Sequence, residues 1–248
     1  MVNWRCFVAS GFFITTLLSG CENWAKSSGQ NSNQVIQEIN VAQLITEAND
    51  AQKAEGLFNQ GNHLFNLRRY NEAIAAYDKA ISIKSNRAEA WINKGNVLTA
   101  LQQYQDALKS YDESISVQPN RHEAWFNKGN VLTKLQRYQE ALASYDKAIA
   151  IKPDKHEAWI NRGIALTKLQ RYQEALASYD RAIALQPNKH EAYYNKACTY
   201  ALQNNTEFAV ENLQKAIKLF PGKYDKLAKT DLDFEKIRTQ KKFQELIR

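Results

Sequence analysis

The sequence predicts an all-α fold: a solenoid of five stacked helix–turn–helix units, closed at its C-terminal end by short capping helices. Three observations carry this. Aromatic, small and proline residues recur every 34 positions, and apolar residues inside each period follow two helical faces. Helix breakers are few, with nine Gly and four Pro in 248 residues. A period of this length marks helical repeats that bury their apolar faces against neighbours.

Trp91, Trp125, Trp159 and Tyr193 are spaced by 34. Gly61, Gly95, Gly129 and Gly163 keep the same step, with Ala197 in the fifth slot, as do Tyr77, Tyr111, Tyr145 and Tyr179, and Pro119, Pro153, Pro187 and Pro221. Residues 122–155 and 156–189 agree at 26 of 34 positions. Five units follow: 54–87, 88–121, 122–155, 156–189 and 190–223. In the third, Trp125, Gly129 and Leu132 share one helical face and Ala141, Tyr145, Ala148 and Ile149 another. Gly inside a helix costs roughly 1 kcal/mol against Ala, so its recurrence implies that Gly129 and Ala141 let two helices approach closely. Pro153 punctuates the joint between units. Lys128, Arg162 and Lys196 are expected to lay aliphatic stems on the core and reach water with their charges. Trp125 is expected in the core, where truncation would cost about 3–5 kcal/mol.

These residues resemble the tetratricopeptide repeat (TPR): an aromatic, Gly four later, Ala twelve after that, a second aromatic and Pro, here Trp91, Gly95, Ala107, Tyr111 and Pro119. The resemblance implies a right-handed α-solenoid with a concave groove lined by the first helices. Leu57 and Ser85 at one end and Ala197 and Leu213 at the other are atypical, as terminal repeats are. Residues 224–248, with Phe234, Ile237, Phe243 and Leu246, resemble the capping segment that follows many bacterial arrays of this kind. The turn Gln136-Arg137 lacks the Gly usual in the family and is read as tolerated variation.

The N-terminal residues read as an address. Cys6 to Leu18 is apolar and uncharged over 13 residues, short of the about 20 needed to span a bilayer. Leu18-Ser19-Gly20-Cys21 follows and resembles a bacterial lipobox. On that resemblance 1–20 is a lipoprotein signal peptide, Cys21 carries lipid, and the chain lies membrane-anchored on the periplasmic or extracytoplasmic side. Residues 21–53 then comprise the lipidated Cys, a polar flexible linker and a lead-in helix near 35–50. Cys198 would be left alone, so no internal disulfide is expected.

The net charge of +7 comes from 33 basic and 26 acidic residues interleaved within each repeat, rather than from a one-sided basic stripe, so no nucleic-acid partner is expected. His122, His156 and His190 recur one per repeat, too far apart to converge on a metal. No metal, no cofactor and no catalytic constellation is read, and the chain is not expected to be an enzyme.

The groove is the candidate site. On the family's groove positions, position 6 supplies Asn59, Asn93, Asn127, Asn161 and Asn195, and position 9 supplies Asn62, Asn96 and Asn130. A carboxamide offers an acceptor and two donors, so a ladder of them suits an extended peptide backbone, with Phe58, Phe126 and Tyr194 as apolar floors. Family carboxylate clamps need cations where this chain has Phe58, Ile92 or Phe126 and Glu89, Glu123 or Glu157. Five groove Glu residues therefore predict an internal or basic ligand segment. The expected function is a membrane-tethered, non-catalytic scaffold for a protein or peptide partner. The alternative is a structural subunit of an envelope or photosynthetic-membrane assembly machine, of the pilus or outer-membrane biogenesis type. The pattern YDKAIAIKPDKHEAW resembles cyanobacterial arrays.

Overall fold

The computed structural model describes residues 28–248, of which 28–39 and 42 are described by their backbone alone. Helices account for the described chain: α1 (Ser28–Asn66), α2 (Tyr70–Ile83), α3 (Ala88–Ala100), α4 (Tyr104–Val117), α5 (His122–Lys134), α6 (Tyr138–Ile151), α7 (His156–Lys168), α8 (Tyr172–Leu185), α9 (His190–Leu202), α10 (Thr206–Leu219), α11 (Tyr224–Thr230), a 3-10 helix (Leu232–Ile237) and α12 (Lys241–Leu246). Among the described residues there is no strand. No described helix is long and apolar enough to cross a membrane.

The described residues divide into two units, with the boundary between Asn49 and Asp50. In the first, residues 28–49 are helical, and Val41, Leu44 and Ile45 expose more than half their surface. The sequence predicts a polar flexible linker ahead of a lead-in helix near 35–50; from Ser28 onward the backbone is helix instead. Polar composition alone does not stop a helix. Residues 28–66 hold no Pro, and each residue added to an existing helix gains one backbone hydrogen bond. The signal-peptide and lipidation readings, 1–20 and Cys21, lie outside the described residues.

The second unit is a right-handed α-solenoid of helix pairs. Each first helix packs on its own second helix, each second helix packs on the next first helix, and α3, α5, α7 and α9 contact one another in series. Tyr77, Tyr111, Tyr145 and Tyr179 are the largest fully buried side chains. Each packs where a Gly leaves room: a Cβ built on Gly61, Gly95, Gly129 or Gly163 would stand only 2.5–2.6 Å from the ring carbon Cε1 of its Tyr. The period-34 glycines are thus a cradle for a tyrosine ring. Trp125 is only half-buried, and its Nε1 donates to the Pro119 carbonyl at 2.9 Å, as Trp159 does to Pro153 at 2.8 Å. The tryptophans pin the preceding loop, while the tyrosines fill the centre.

Within each pair the turn is a Schellman closure. Arg137 N donates to Leu132 O at 2.9 Å and Gln136 N to Thr133 O at 3.0 Å, with Gln136 at φ 57°. Arg68, Gln102, Gln170 and Asn204 repeat that left-handed conformation without a Gly. Charged pairs stitch successive repeats: Lys94–Asp78 at 2.6 Å, Lys128–Asp112 at 2.5 Å, Arg162–Asp146 at 2.7 Å, and Lys196–Asp180. The cations expected to reach water therefore lie against a carboxylate of the preceding unit. At the C-terminal end Tyr224, Ala228, Phe234, Ile237, Phe243 and Ile247 join one core with Tyr194, Ala197, Leu213 and Ala216.

Candidate functional site

The site is built on the face shared by the first helices. A carboxamide at position 9 of one repeat meets the tyrosine of its own second helix and the position-6 carboxamide of the next repeat. Tyr77 Oη donates to Asn62 Oδ1 at 2.8 Å, and Asn93 Nδ2 donates to the same oxygen at 2.8 Å. The next rung repeats this with Tyr111 and Asn127 on Asn96, at 2.8 and 2.9 Å. The third uses Tyr145 and Asn161 on Asn130, at 2.9 and 2.8 Å. Thr99 and Thr133 Oγ1 lie 3.2 and 3.0 Å from the hydroxyls of Tyr111 and Tyr145.

The chemistry explains the geometry. A buried phenol needs a partner, and a carboxamide oxygen has two lone pairs, enough for one bond within the repeat and one across the joint. Burial pushes Tyr77, Tyr111 and Tyr145 up to about 12, so all three are neutral donors at physiological pH.

The amides are therefore structural first. Each rung nevertheless leaves open the Nδ2 of Asn62, Asn96 or Asn130 and the Oδ1 of Asn93, Asn127 or Asn161. Two cavities open beside them. One of about 260 Å³ is lined by Asn62, Phe65, Asn66, Asn93 and Asn96. The other, about 310 Å³, is lined by Asn130, Thr133, Lys134, Tyr145, Asn161 and Ile164.

Other expected groove residues lie elsewhere. Asn59 is exposed, one helical turn from Glu55. Asn195 donates back to Glu191 O of its own helix at 2.8 Å, because Ile164 replaces the position-9 carboxamide that it would meet. There the joint is made by Thr167 and Thr199 hydroxyls 2.8 Å apart. Phe58 and Tyr194 are not exposed floors: both are buried, Phe58 under the Arg87 guanidinium at 3.9 Å and Tyr194 stacked on Tyr224 at 4.6 Å. Phe126 is half-buried beneath Lys155 Nζ at 4.7 Å. An aromatic at position 5 faces the next repeat, which covers it.

Four of the five acidic residues are compensated, which weakens the argument for a basic ligand, while Glu123 meets only His122 Nδ1 at 3.0 Å. Glu55 and Glu89 pair with Arg87 and Arg121, while Glu157 and Glu191 lie 3.6 and 3.7 Å from Lys155 and Lys189. The Arg87 guanidinium beside Glu55 holds its carboxyl below the usual range. His122, His156 and His190 begin α5, α7 and α9, each with Nδ1 3.0–3.4 Å from the following Glu. Among the described residues, ligand-like spacing occurs at Cys198, Asp231 and Asp233, whose donor atoms lie within 4.8 Å of one another. Those groups are engaged inside the cap: Asp231 accepts from Tyr194 Oη at 2.6 Å, and Lys168 Nζ lies 3.6 Å from Asp233.

Comparison with known proteins places this geometry. A search of curated proteins returned no match. Among solved structures, the chain is similar to YrrB, described as a TPR protein with an unusual peptide-binding site: 28% identity, TM-score 0.62, covering 73% of this chain and 93% of that one. It is similar in fold to PilW, described as a widely conserved type IV pilus biogenesis factor, at 22% identity and TM-score 0.67 over 79% of this chain and 90% of that one. MamA from Desulfovibrio magneticus RS-1 has 22% identity and TM-score 0.64 over 67% and 94%. Tetratricopeptide-repeat sequence profiles match residues 54–87, 92–156, 156–189 and 190–223. With its tyrosine-filled cradles, its carboxamide joints and these matches over more than half its length, the chain belongs to the tetratricopeptide repeat family.

Proposed function

We propose that this chain is a non-catalytic adaptor that binds an extended segment of a partner protein along the concave face of its repeats. The carrying observation is the three-rung ladder, in which each bridging carboxamide keeps an unused edge beside an open cavity. An open Nδ2 and an open Oδ1 at each joint suit the carbonyl and N–H of one peptide unit. Helices pack about 8–10 Å apart and an extended chain rises about 3.3 Å per residue, so one rung meets roughly every third residue. The peptide-binding site named for YrrB supports this reading.

A random-peptide selection against the full-length protein, followed by fluorescence titration, tests it. Asn127→Ala and Asn161→Ala each remove one open edge, while the oxygens of Asn96 and Asn130 keep their tyrosine donors. Folded variants that lose binding support the proposal; unchanged affinity overturns it.

The membrane tether is a second part of the proposal and rests on Leu18-Ser19-Gly20-Cys21. Lipid on Cys21 would hold the groove at the extracytoplasmic membrane surface and raise its local concentration there. Labelling with a fatty-acid analogue should mark the wild type and spare Cys21→Ser; equal labelling would refute it. A second reading, a structural subunit of an assembly machine, is favoured by exposed Phe208, Leu219, Phe220, Leu227 and Leu232 near the C-terminal end. In that case polar substitutions there would disrupt complex formation, and the Asn variants would not.

A further inference from the structure

Position 13 of the first helix, at the rim of the groove, carries Asn66, Ala100, Lys134, Lys168 and Leu202 in the five repeats. The two lysines are equivalent by the repeat but differ in company. Lys168 lies 3.6 Å from Asp233, contributed by the 3-10 helix that packs along α9. In the same segment Asp231 accepts from Tyr194. The chain's own acidic stretch thus supplies a carboxylate to one of these lysines.

Lys134 has no such partner among the described residues. Its side chain lines the 310 Å³ cavity with Asn130, Thr133, Tyr145, Asn161 and Ile164. The Tyr145 and Thr133 hydroxyls there are already engaged with each other or with Asn130 and Gly129. What the cavity offers a ligand is one ammonium, the open edges of two carboxamides and the Ile164 wall.

We propose that this cavity is a subsite for an acidic side chain of the bound segment, with Lys134 as its counter-charge. The proposal rests on the groove reading above and specifies its chemistry: an internal acidic residue, with the Asn130–Asn161 rung holding the adjacent backbone. Asp233 against Lys168 is the intramolecular template. The site differs from a terminal-carboxylate clamp because its cation stands at the groove rim and its amides are bridged to the repeat joint.

The test uses peptides selected on the full-length chain from a random library. Selected sequences should share an Asp or Glu, and its replacement by Asn or Gln should weaken binding roughly two- to five-fold, as expected for a solvent-accessible ion pair. Lys134→Glu should lower affinity further, and a Lys in place of the peptide's acid should restore it. Lys134 is exposed, so its replacement leaves the fold intact, which a melting curve verifies. Peptides that need Asn127 and Asn161 but show no acidic preference would overturn this inference and leave the groove reading standing. Failure of any peptide to depend on those asparagines would overturn both.

Discussion

Gly129→Ala tests the packing account most sharply, because two large effects oppose each other at one atom. In a helix interior this change normally stabilises by up to about 1 kcal/mol. Here the new Cβ would stand 2.6 Å from Cε1, 2.8 Å from Cδ1 and 3.0 Å from Cζ of Tyr145. The ring is 1% exposed, and its hydroxyl is held by Asn130 at 2.9 Å and Thr133 at 3.0 Å, so it cannot slide away without loosening the rung. Overpacking costs about 1–3 kcal/mol, and a loosened hydroxyl adds about 1 kcal/mol. The net prediction is a loss of about 1–3 kcal/mol, read as a fall in thermal midpoint of roughly 2–10 °C for a domain of this size. Gly56 is the internal control: nothing lies within 4 Å of its added Cβ, so Gly56→Ala should stabilise by up to about 1 kcal/mol. In a Tyr145→Leu background the Gly129→Ala penalty should shrink. If Gly129→Ala stabilises the protein as Gly56→Ala does, the cradle argument is wrong.

Further outcomes follow from the same geometry. Tyr145→Phe should cost about 1–2 kcal/mol in urea denaturation, since Asn130 loses one of two donors at a buried joint. Trp125→Ala should cost less than the about 3–5 kcal/mol of a fully buried truncation, because half-exposed Trp125 mainly ties down the Pro119 carbonyl. Gln136→Gly should stabilise by up to about 1 kcal/mol by relieving a left-handed backbone at φ 57°. Alkaline pH should unfold the array. Tyr111 and Tyr145 ionise near 10.0 when unfolded but near 12 when folded, so their contribution is intact below pH 10 and lost as pH rises from 10 to 12. Helical circular dichroism that stays native well above pH 12 would contradict this.

Much of the fold was legible because a helical pair that cannot bury its own apolar face announces itself by period. The recurrence of Gly129 sixteen residues before Tyr145 pointed to a close approach, and the structure shows the contact it serves. What escaped depended on register across joints. The Asn62–Tyr77–Asn93 rung brings together residues separated by 15 and 31 positions, so a single repeat does not show which neighbours the amides bridge. Their common 34-residue step was the available signal, shared by Thr99, Thr133 and Thr167. Phe58 and Tyr194 were misjudged as floors because the next repeat and the cap cover position 5. The charge of the groove was only partly legible because the cations that compensate Glu55 and Glu89 arrive from 32 residues along the chain. Local pattern shows which face is apolar; it does not show which polar atoms the neighbouring repeat will consume.

The central claim is that the rungs' unused carboxamide edges form a binding surface. The most direct measurement is a nuclear magnetic resonance titration of the full-length protein's side-chain amides with a selected peptide. The account predicts that the amide signals of Asn96, Asn127, Asn130 and Asn161 shift together, saturably, while exposed Asn188 on an inter-repeat loop stays fixed. Perturbations confined to α4, α6 and α8, with the rung asparagines unmoved, would contradict it.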